Sequence, residues 1–405
     1  MKFIEEGPGL RSGLQDLPKS LNASTIGSGL ISAIFGCTGP AMVIISAAST
    51  VGFSAQETAS WLFSIYVFGG LIGCLLSLYY KIPIAGAYAI SAATLMATAL
   101  AGYTFSEAAG AFILAGIIVL VLGLSGLVGK LIKVLPMEIV MAMVAGCMLK
   151  FGVNIVTYTY ADTVVCGLAI LAFLIVPYFF KKFPGVLAAL IVGITAAVIT
   201  GAFGGSMNEI AYIPPHLVKP SFQPSLILSC AVPIAALVVG AEGAQAMGVL
   251  EAKGYKVPAN SMTIMSGIGG ICTGIFGGHN ANIAGPMTAI CASEESGPKE
   301  GRYAASFVNG VVFIAFGLLS SYAMSFISFV PQSLVYTIAG LAMINVLIGA
   351  FRDAFKSGKY KTGAFFALII GVSGVSILKI GSAFWALVFG VVVSLISDSK
   401  DFKKE

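Results

Sequence analysis

The sequence predicts an all-α polytopic membrane protein whose fourteen transmembrane segments form a seven-plus-seven inverted repeat. Three observations lead there. The chain of 405 residues is 58% hydrophobic and only 10% charged, against about 25% charged residues in a soluble domain, and its mean hydropathy is +0.98. Apolar runs approaching the ~20 residues needed to cross a bilayer recur from one end to the other. The basic residues fall into alternate gaps between those runs, as they must when Lys and Arg gather on the cytoplasmic side.

Taken in order, the runs give spans at 25–48, 58–79, 82–101, 106–127, 136–153, 162–180, 183–203, 223–247, 257–277, 279–293, 302–326, 331–350, 361–378 and 381–398. With the N-terminus inside, the cytoplasmic gaps hold Lys2, Arg11 and Lys19; Lys81; Lys130 and Lys133; Lys181 and Lys182; Lys253 and Lys256; Lys299 and Arg302; Arg352, Lys356, Lys359 and Lys361; and Lys400, Lys403 and Lys404. These are 19 of the 22 basic residues, and only Lys150, Lys219 and Lys379 fall outside. A miscounted span would invert every later gap and scramble this partition. Fourteen spans with both termini cytoplasmic is therefore the expected topology.

Segment 1–24 is polar and lacks the apolar centre of a cleavable signal peptide, so it reads as a cytoplasmic N-terminal segment. The seven cysteines, Cys37, Cys74, Cys147, Cys166, Cys230, Cys272 and Cys291, lie in or at the ends of spans without metal-type spacing. They read as small buried apolar residues. No phosphate-binding loop, zinc-type cluster or soluble nucleophile–base pair is present. The expectation is a protein without cofactor or metal that is neither an enzyme nor an ATP-driven pump. The net charge of +5 follows from topology and does not signal nucleic acid.

Seven spans per half is an odd number, so two related halves must lie in opposite orientations. GCTGPAM at 36–42 is similar to GAEGAQAM at 240–247, and Gly69-Gly70 matches Gly269-Gly270. LPMEIV from Leu135 matches VPQSLV from Val330, with Pro136 and Pro331 offset by 195. Inverted repeats mark secondary transporters, with substrate near the midplane between the repeats. The first repeat covers 25–203 and the second 223–398.

Spans 3 and 10 are short and interrupted. KIPIAGAYAIS is led by Pro83; GGHNANIAGPMTAIC is led by Gly277 and Gly278, with Pro286 where a helix would begin. In each, an extended piece precedes a short helix. Non-helical backbone at membrane depth is tolerated only where it is buried in protein or lines a cavity. Two half-helices starting near the midplane would aim their N-terminal N–H groups at one point and favour an anion there. Two kinked but continuous helices are the competing reading.

FGGHNANIAGPMTAIC at 276–291, with EAKGYKVPA at 251–259 and SWLFSIYVFGGLIGCLLSLYYKIPI at 60–84, resembles the benzoate/proton symporter family of bacterial inner membranes. The resemblance implies the inverted-repeat fold shared with nucleobase and sulfate-permease-like transporters, with short strands in spans 3 and 10 that pair beside the substrate. It further implies a core domain (25–127 plus 223–326), a gate domain (136–203 plus 331–398) and dimerisation through the gate. The chain departs from the family pattern at two places, reading AEGAQ at 241–245 and AYAIS at 87–91 where benzoate-type members read SQNLP and AWSTP. Glu242 falls where the nucleobase branch carries an acid.

Glu242 lies mid-span, where a carboxylate costs several kcal/mol unless paired, hydrated or protonated. It is the candidate proton carrier and a substrate ligand; the competing role is a structural acid bonded to backbone. His279 titrates near neutral pH or caps the strand as a neutral group, and the sequence does not decide between them. Asn280, Ala281 and Asn282 on one extended piece, with Tyr88, Ala89 and Ser91 on the other, are the candidate site lining. Asn280 and Asn282 would otherwise satisfy the broken backbone. Thr38 occupies the position matching Glu242 in the first repeat, and its hydroxyl otherwise bonds back to its own helix. Gln245 shares the helical face of Glu242. Tyr88 and Phe35 could stack on a planar substrate. Glu138 and Lys150 read as structural.

The leading expectation is proton-coupled symport of benzoate or a similar small aromatic carboxylate. A proton-coupled nucleobase symporter is the alternative in the same class, and an anion channel the alternative of another class. The expected partners are that substrate, protons and the lipid bilayer, with a homodimer implied by the family.

Overall fold

The computed structural model describes residues 4–126, 136–180, 183–204, 212–322, 329–375, 377 and 382–402. Lys2, Lys130, Lys133, Lys181, Lys182, Lys379, Lys403 and Lys404 of the charge pattern, and Leu135, lie outside the described residues. The protein is mostly helical and polytopic. Among the described residues, seven helical stretches are long and apolar enough to cross a membrane, and five shorter apolar helices accompany them.

A short helix α1 (Leu10–Ser20) leads into α2 (Ala23–Cys37) and α3 (Gly39–Val51), which form one apolar stretch long enough to cross a membrane. Their junction is Thr38, whose φ of −103° and ψ of −91° are not helical, and Pro40 follows in the first turn of α3. Span 1, read from sequence as one run, is therefore interrupted. α4 (Ala55–Tyr80) and α6 (Phe105–Ser125) each start with a capping box, Ser54 with Glu57 and Thr104 with Glu107. Each pair satisfies backbone N–H groups that the first helical turn leaves free.

Between α4 and α6 lie β1 (Gly86–Tyr88) and α5 (Ile90–Ala99). The next helices are α7 (Met137–Ala161), α8 (Thr163–Phe179) and α9 (Gly185–Ile199). A long helical stretch, α10 (Pro224–Ala252), follows. Two of its turns are widened to π geometry, Ile227–Ala231 and Val238–Gly243. Such turns interrupt the regular hydrogen-bond ladder and recur at functional sites; the second contains Glu242. Then come α11 (Ala259–Ile275), β2 (Ala281–Ile283), α12 (Gly285–Cys291), α13 (Tyr303–Leu318), α14 (Gln332–Phe355), α15 (Lys361–Ser373) and α16 (Ser382–Ser397).

The two strands pair antiparallel, Gly86 with Ile283, Ala87 with Asn282 and Tyr88 with Ala281. β2 begins 195 residues after β1, and the Pro-led α14 begins 195 residues after the Pro-led α7. At that offset Ala87 corresponds to Asn282, its own partner at the centre of the ladder.

Glycines admit this ladder to the interior. A Cβ on Gly69 of α4 would overlap the carbonyl oxygen of Ala87, and one on Gly269 of α11 would overlap that of Ala281. The same doublets bring helices together: Gly70 meets the backbone of Gly310 in α13, and Gly270 meets Gly116 in α6. Accordingly α4 lies along α13 and α6 along α11, while α7 packs on α14, α8 on α9, and α15 on both α7 and α16. Gly277, with φ of +80° and the Phe105 ring where a Cβ would stand, turns the chain from α11 toward β2. The large side chains Trp61, Tyr66, Tyr88, Phe112 and Phe313 fill the interior around the strands.

Adding one methyl at Gly69 or Gly269 pushes on backbone, which cannot swing aside. Gly69→Ala and Gly269→Ala should each lose about 1–3 kcal/mol and unfold at lower temperature in detergent. Gly27→Ala, where no atom lies within 4 Å, should unfold like the parent. Equal behaviour of all three proteins would contradict the packing described.

Candidate functional site

The site forms where two short helices begin. α5 starts at Ile90 directly after β1, and α12 starts at Gly285 directly after β2, with Pro286 in its first turn. Free N–H groups at such starts carry partial positive charge and receive anions. The Glu242 carboxylate sits there. Its Oε2 accepts from the Gly285 N–H at 3.4 Å, and the N–H groups of Ile90 and Ser91 and the Ser91 hydroxyl face it as well. Glu242 is 6% and Ser91 7% exposed. The widened turn at Val238–Gly243 sets the acid in this place. Glu242 thus faces backbone N–H groups at the starts of both α5 and α12.

Side chains from neighbouring helices fasten the strands behind this point. The Ala284 N–H donates to Ala85 O at 3.0 Å, and the Ala85 N–H donates to Thr288 Oγ1 at 3.2 Å. Ser266 Oγ accepts from the Ile283 N–H at 3.3 Å, and Asn309 Nδ2 donates to Gly86 O at 3.3 Å. Unpaired backbone is costly at membrane depth, and these side chains satisfy part of it.

Two further knots lock the loop ends. The Trp61 indole N–H donates to His279 Nδ1 at 2.9 Å. An indole nitrogen only donates, so Nδ1 accepts and the proton of the neutral ring stands on Nε2. Nε2 donates in turn to Ala89 O at 2.9 Å, in a pocket that also holds the Tyr88 and Phe112 rings. The second knot joins the break in span 1 to β1. Tyr66 Oη donates to Gly36 O at 2.6 Å, Tyr88 Oη lies 3.1 Å from the same oxygen, and the two hydroxyls are 2.8 Å apart.

The residues singled out from sequence divide into two groups. Glu242, Ser91 and Gln245 gather at the helix starts; the Gln245 side chain packs against Gly285. Thr38 is half-buried at the break beside Gly36 and Gly39, and its hydroxyl donates to Ile34 O at 2.8 Å. Tyr88, Ala89, His279, Asn280, Ala281 and Asn282 are wholly buried. Asn280 wedges against Gly270, and among the described residues the side-chain amides of Asn280 and Asn282 have no hydrogen-bond partner. Glu138 accepts from Ser357 Oγ at 2.7 Å.

Gln245 and Pro286 open onto a cavity of about 560 Å³. Its walls are Phe35 of α2, Met137 and Met141 of α7, Ala241 and Ala244 of α10, and one face of α14 including Asn345, Val346 and Ile348. Arg352 and Asp353, bonded to one another at 2.8 Å and substantially exposed, mark its mouth. A second cavity of about 360 Å³ lies at the other end of α14, bounded by Ser49, Phe53, Thr58, Gln332 and Tyr336. The wall that α14 contributes was missed from sequence. Its only signal was a lone amide, Asn345, in the apolar run LAMINVLIGA.

The comparisons with known proteins agree with this architecture. The chain is 28% identical over 384 residues to the inner membrane protein YdcO of Escherichia coli, spanning 94% of this chain and 98% of that one. It is 23% identical to the benzoate membrane transport protein of Acinetobacter baylyi, spanning 95% and 97%. In fold it is similar to the transmembrane domain of a cyanobacterial bicarbonate transporter, BicA, with a TM-score of 0.59 over 93% of this chain and 97% of that one at 16% identity. The family model described as benzoate membrane transport protein matches residues 19–396; the chain belongs to that family of membrane transporters.

Proposed function

We propose that the protein is a secondary transporter that carries benzoate or a similar small aromatic carboxylate together with a proton. The observation that carries this reading is the position of Glu242, whose carboxylate occupies the anion site made by the starts of α5 and α12. A substrate carboxylate needs the same N–H groups. Two carboxylates cannot share them as anions, because like charges a few ångströms apart in a low-dielectric site repel strongly. Protonating Glu242 removes the resident charge and frees the site. Substrate and proton are thereby coupled by competition for one set of donors.

The fourteen-span inverted repeat is part of the proposal. It is supported by the order of elements, which runs α2–α3, α4, β1–α5, α6, α7, α8, α9 and then α10, α11, β2–α12, α13, α14, α15, α16, and by the shared offset of strands and Pro-led helices. The core domain is 25–127 with 223–326, and the gate domain 136–203 with 331–398. With both termini cytoplasmic, the larger cavity opens inward beside Arg352. The outer side is then closed by bonds from Gln332 Nε2 to Ser49 Oγ at 3.0 Å and between Tyr336 and Thr50 at 3.3 Å. Movement of core against gate exchanges the two openings.

His279 is assigned a fastening role here. Both its ring nitrogens are engaged, and accepting a second proton would break the bond from Trp61. Trp61→Phe should leave Nδ1 buried without a donor, cost about 1–3 kcal/mol and lower the unfolding temperature, while the pH profile of uptake keeps its shape. A shifted profile would assign His279 to proton transfer instead.

The coupling itself is tested with labelled benzoate in proteoliposomes. The parent should accumulate benzoate when an inward proton gradient is imposed. Glu242→Gln should lose that accumulation yet still exchange internal for external benzoate. Accumulation by Glu242→Gln equal to the parent would remove the acid from coupling. Gradient-driven uptake of uracil or xanthine in place of benzoate would favour the nucleobase reading, in which Glu242 pairs with ring N–H groups.

A further inference from the structure

We infer that Asn345 reads the substrate's ring on the side away from its carboxylate, and that the preferred substrates are aromatic acids carrying a hydroxyl or similar hydrogen-bonding group there. The inference rests on the proposed transport of aromatic carboxylates and adds a residue and a substrate feature to it. Asn345 lies near the middle of α14, at a depth where a polar side chain is costly unless it faces protein or a water-filled space. It faces the 560 Å³ cavity. Its amide makes no hydrogen bond among the described residues, although the side chain is exposed to that cavity.

The opposite wall holds the start of α12, with Pro286 and Gln245. A carboxylate bound at the helix starts therefore directs its ring across the cavity toward α14. Around Asn345 the wall is apolar, with Met141, Val346 and Ile348. The amide is the polar group that a ring substituent would meet first, since Arg352 and Asp353 are bonded to each other farther along the helix. The volume fits the same reading. It lies within the ~300–1,000 Å³ of small-molecule sites, roomier than one unsubstituted ring requires. A free amide donates two protons and accepts through its oxygen, so it pairs with a phenolic hydroxyl in either sense.

The test is the ratio of affinities for 4-hydroxybenzoate and benzoate, with 3-hydroxybenzoate as a positional control, measured by calorimetry on purified protein. The parent should favour a ring-hydroxylated acid by about fivefold, the worth of one neutral hydrogen bond. In Asn345→Leu the ratio should fall to about one. A parent without preference overturns the inference and needs no variant to fold. A preference that survives Asn345→Leu unchanged also overturns it, and in both cases benzoate transport stands. Failure of the parent to bind any of the three acids would bring down the transport reading and the inference together.

Discussion

Backbone hydrogen bonding at membrane depth is the constraint on which this structure depends. A broken transmembrane span exposes N–H and C=O groups that lipid cannot satisfy. Here two broken elements satisfy each other, as β1 and β2 pair through Ala87 and Asn282. Thr288, Ser266 and Asn309 take further groups along the edges, those of Ala85, Ile283 and Gly86. Glycines on α4 and α11 allow the ladder to lie directly against helix backbone. The reward for this arrangement is two helix starts aimed at one buried point.

That point is occupied by the protein's own acid. Glu242 accepts from the Gly285 N–H at the start of α12 and faces the N–H groups of Ile90 and Ser91 at the start of α5, so the acid meets donors that a helix start leaves free. Under the proposed coupling, this resident anion is neutralised before another can enter. The surrounding knots are neutral. The Trp61–His279–Ala89 chain and the Tyr66–Tyr88–Gly36 cluster fix geometry without adding charge that would compete for the donors.

Much of this was legible in the chain because it depends on residue types that break local rules. The apolar runs mark a polytopic helical membrane protein, and the Gly69-Gly70 and Gly269-Gly270 doublets mark places where helix meets backbone closely. Pro286 marks a helix start and Glu242 an intramembrane acid. Other features are pairings between distant residues and leave no local pattern. Trp61 and His279 are 218 positions apart, and nothing in either segment points to the other. Tyr88, read as a ring for substrate to stack on, has its hydroxyl tied to Tyr66 and is wholly buried. The interruption at Thr38 is marked locally by Gly39-Pro40, whose proline has no N–H to continue the ladder, whereas the π turn around Glu242 leaves no mark in apolar content or periodicity.

The claim at the centre of this account is that substrate carboxylate and Glu242 carboxylate compete for one site. Calorimetric titration of benzoate in buffers of different ionisation enthalpy counts protons taken up on binding, free of any transport step. The account predicts net proton uptake by the parent near neutral pH and none by Glu242→Gln. Benzoate binding by the parent without proton uptake, or with uptake that persists unchanged in Glu242→Gln, would contradict it.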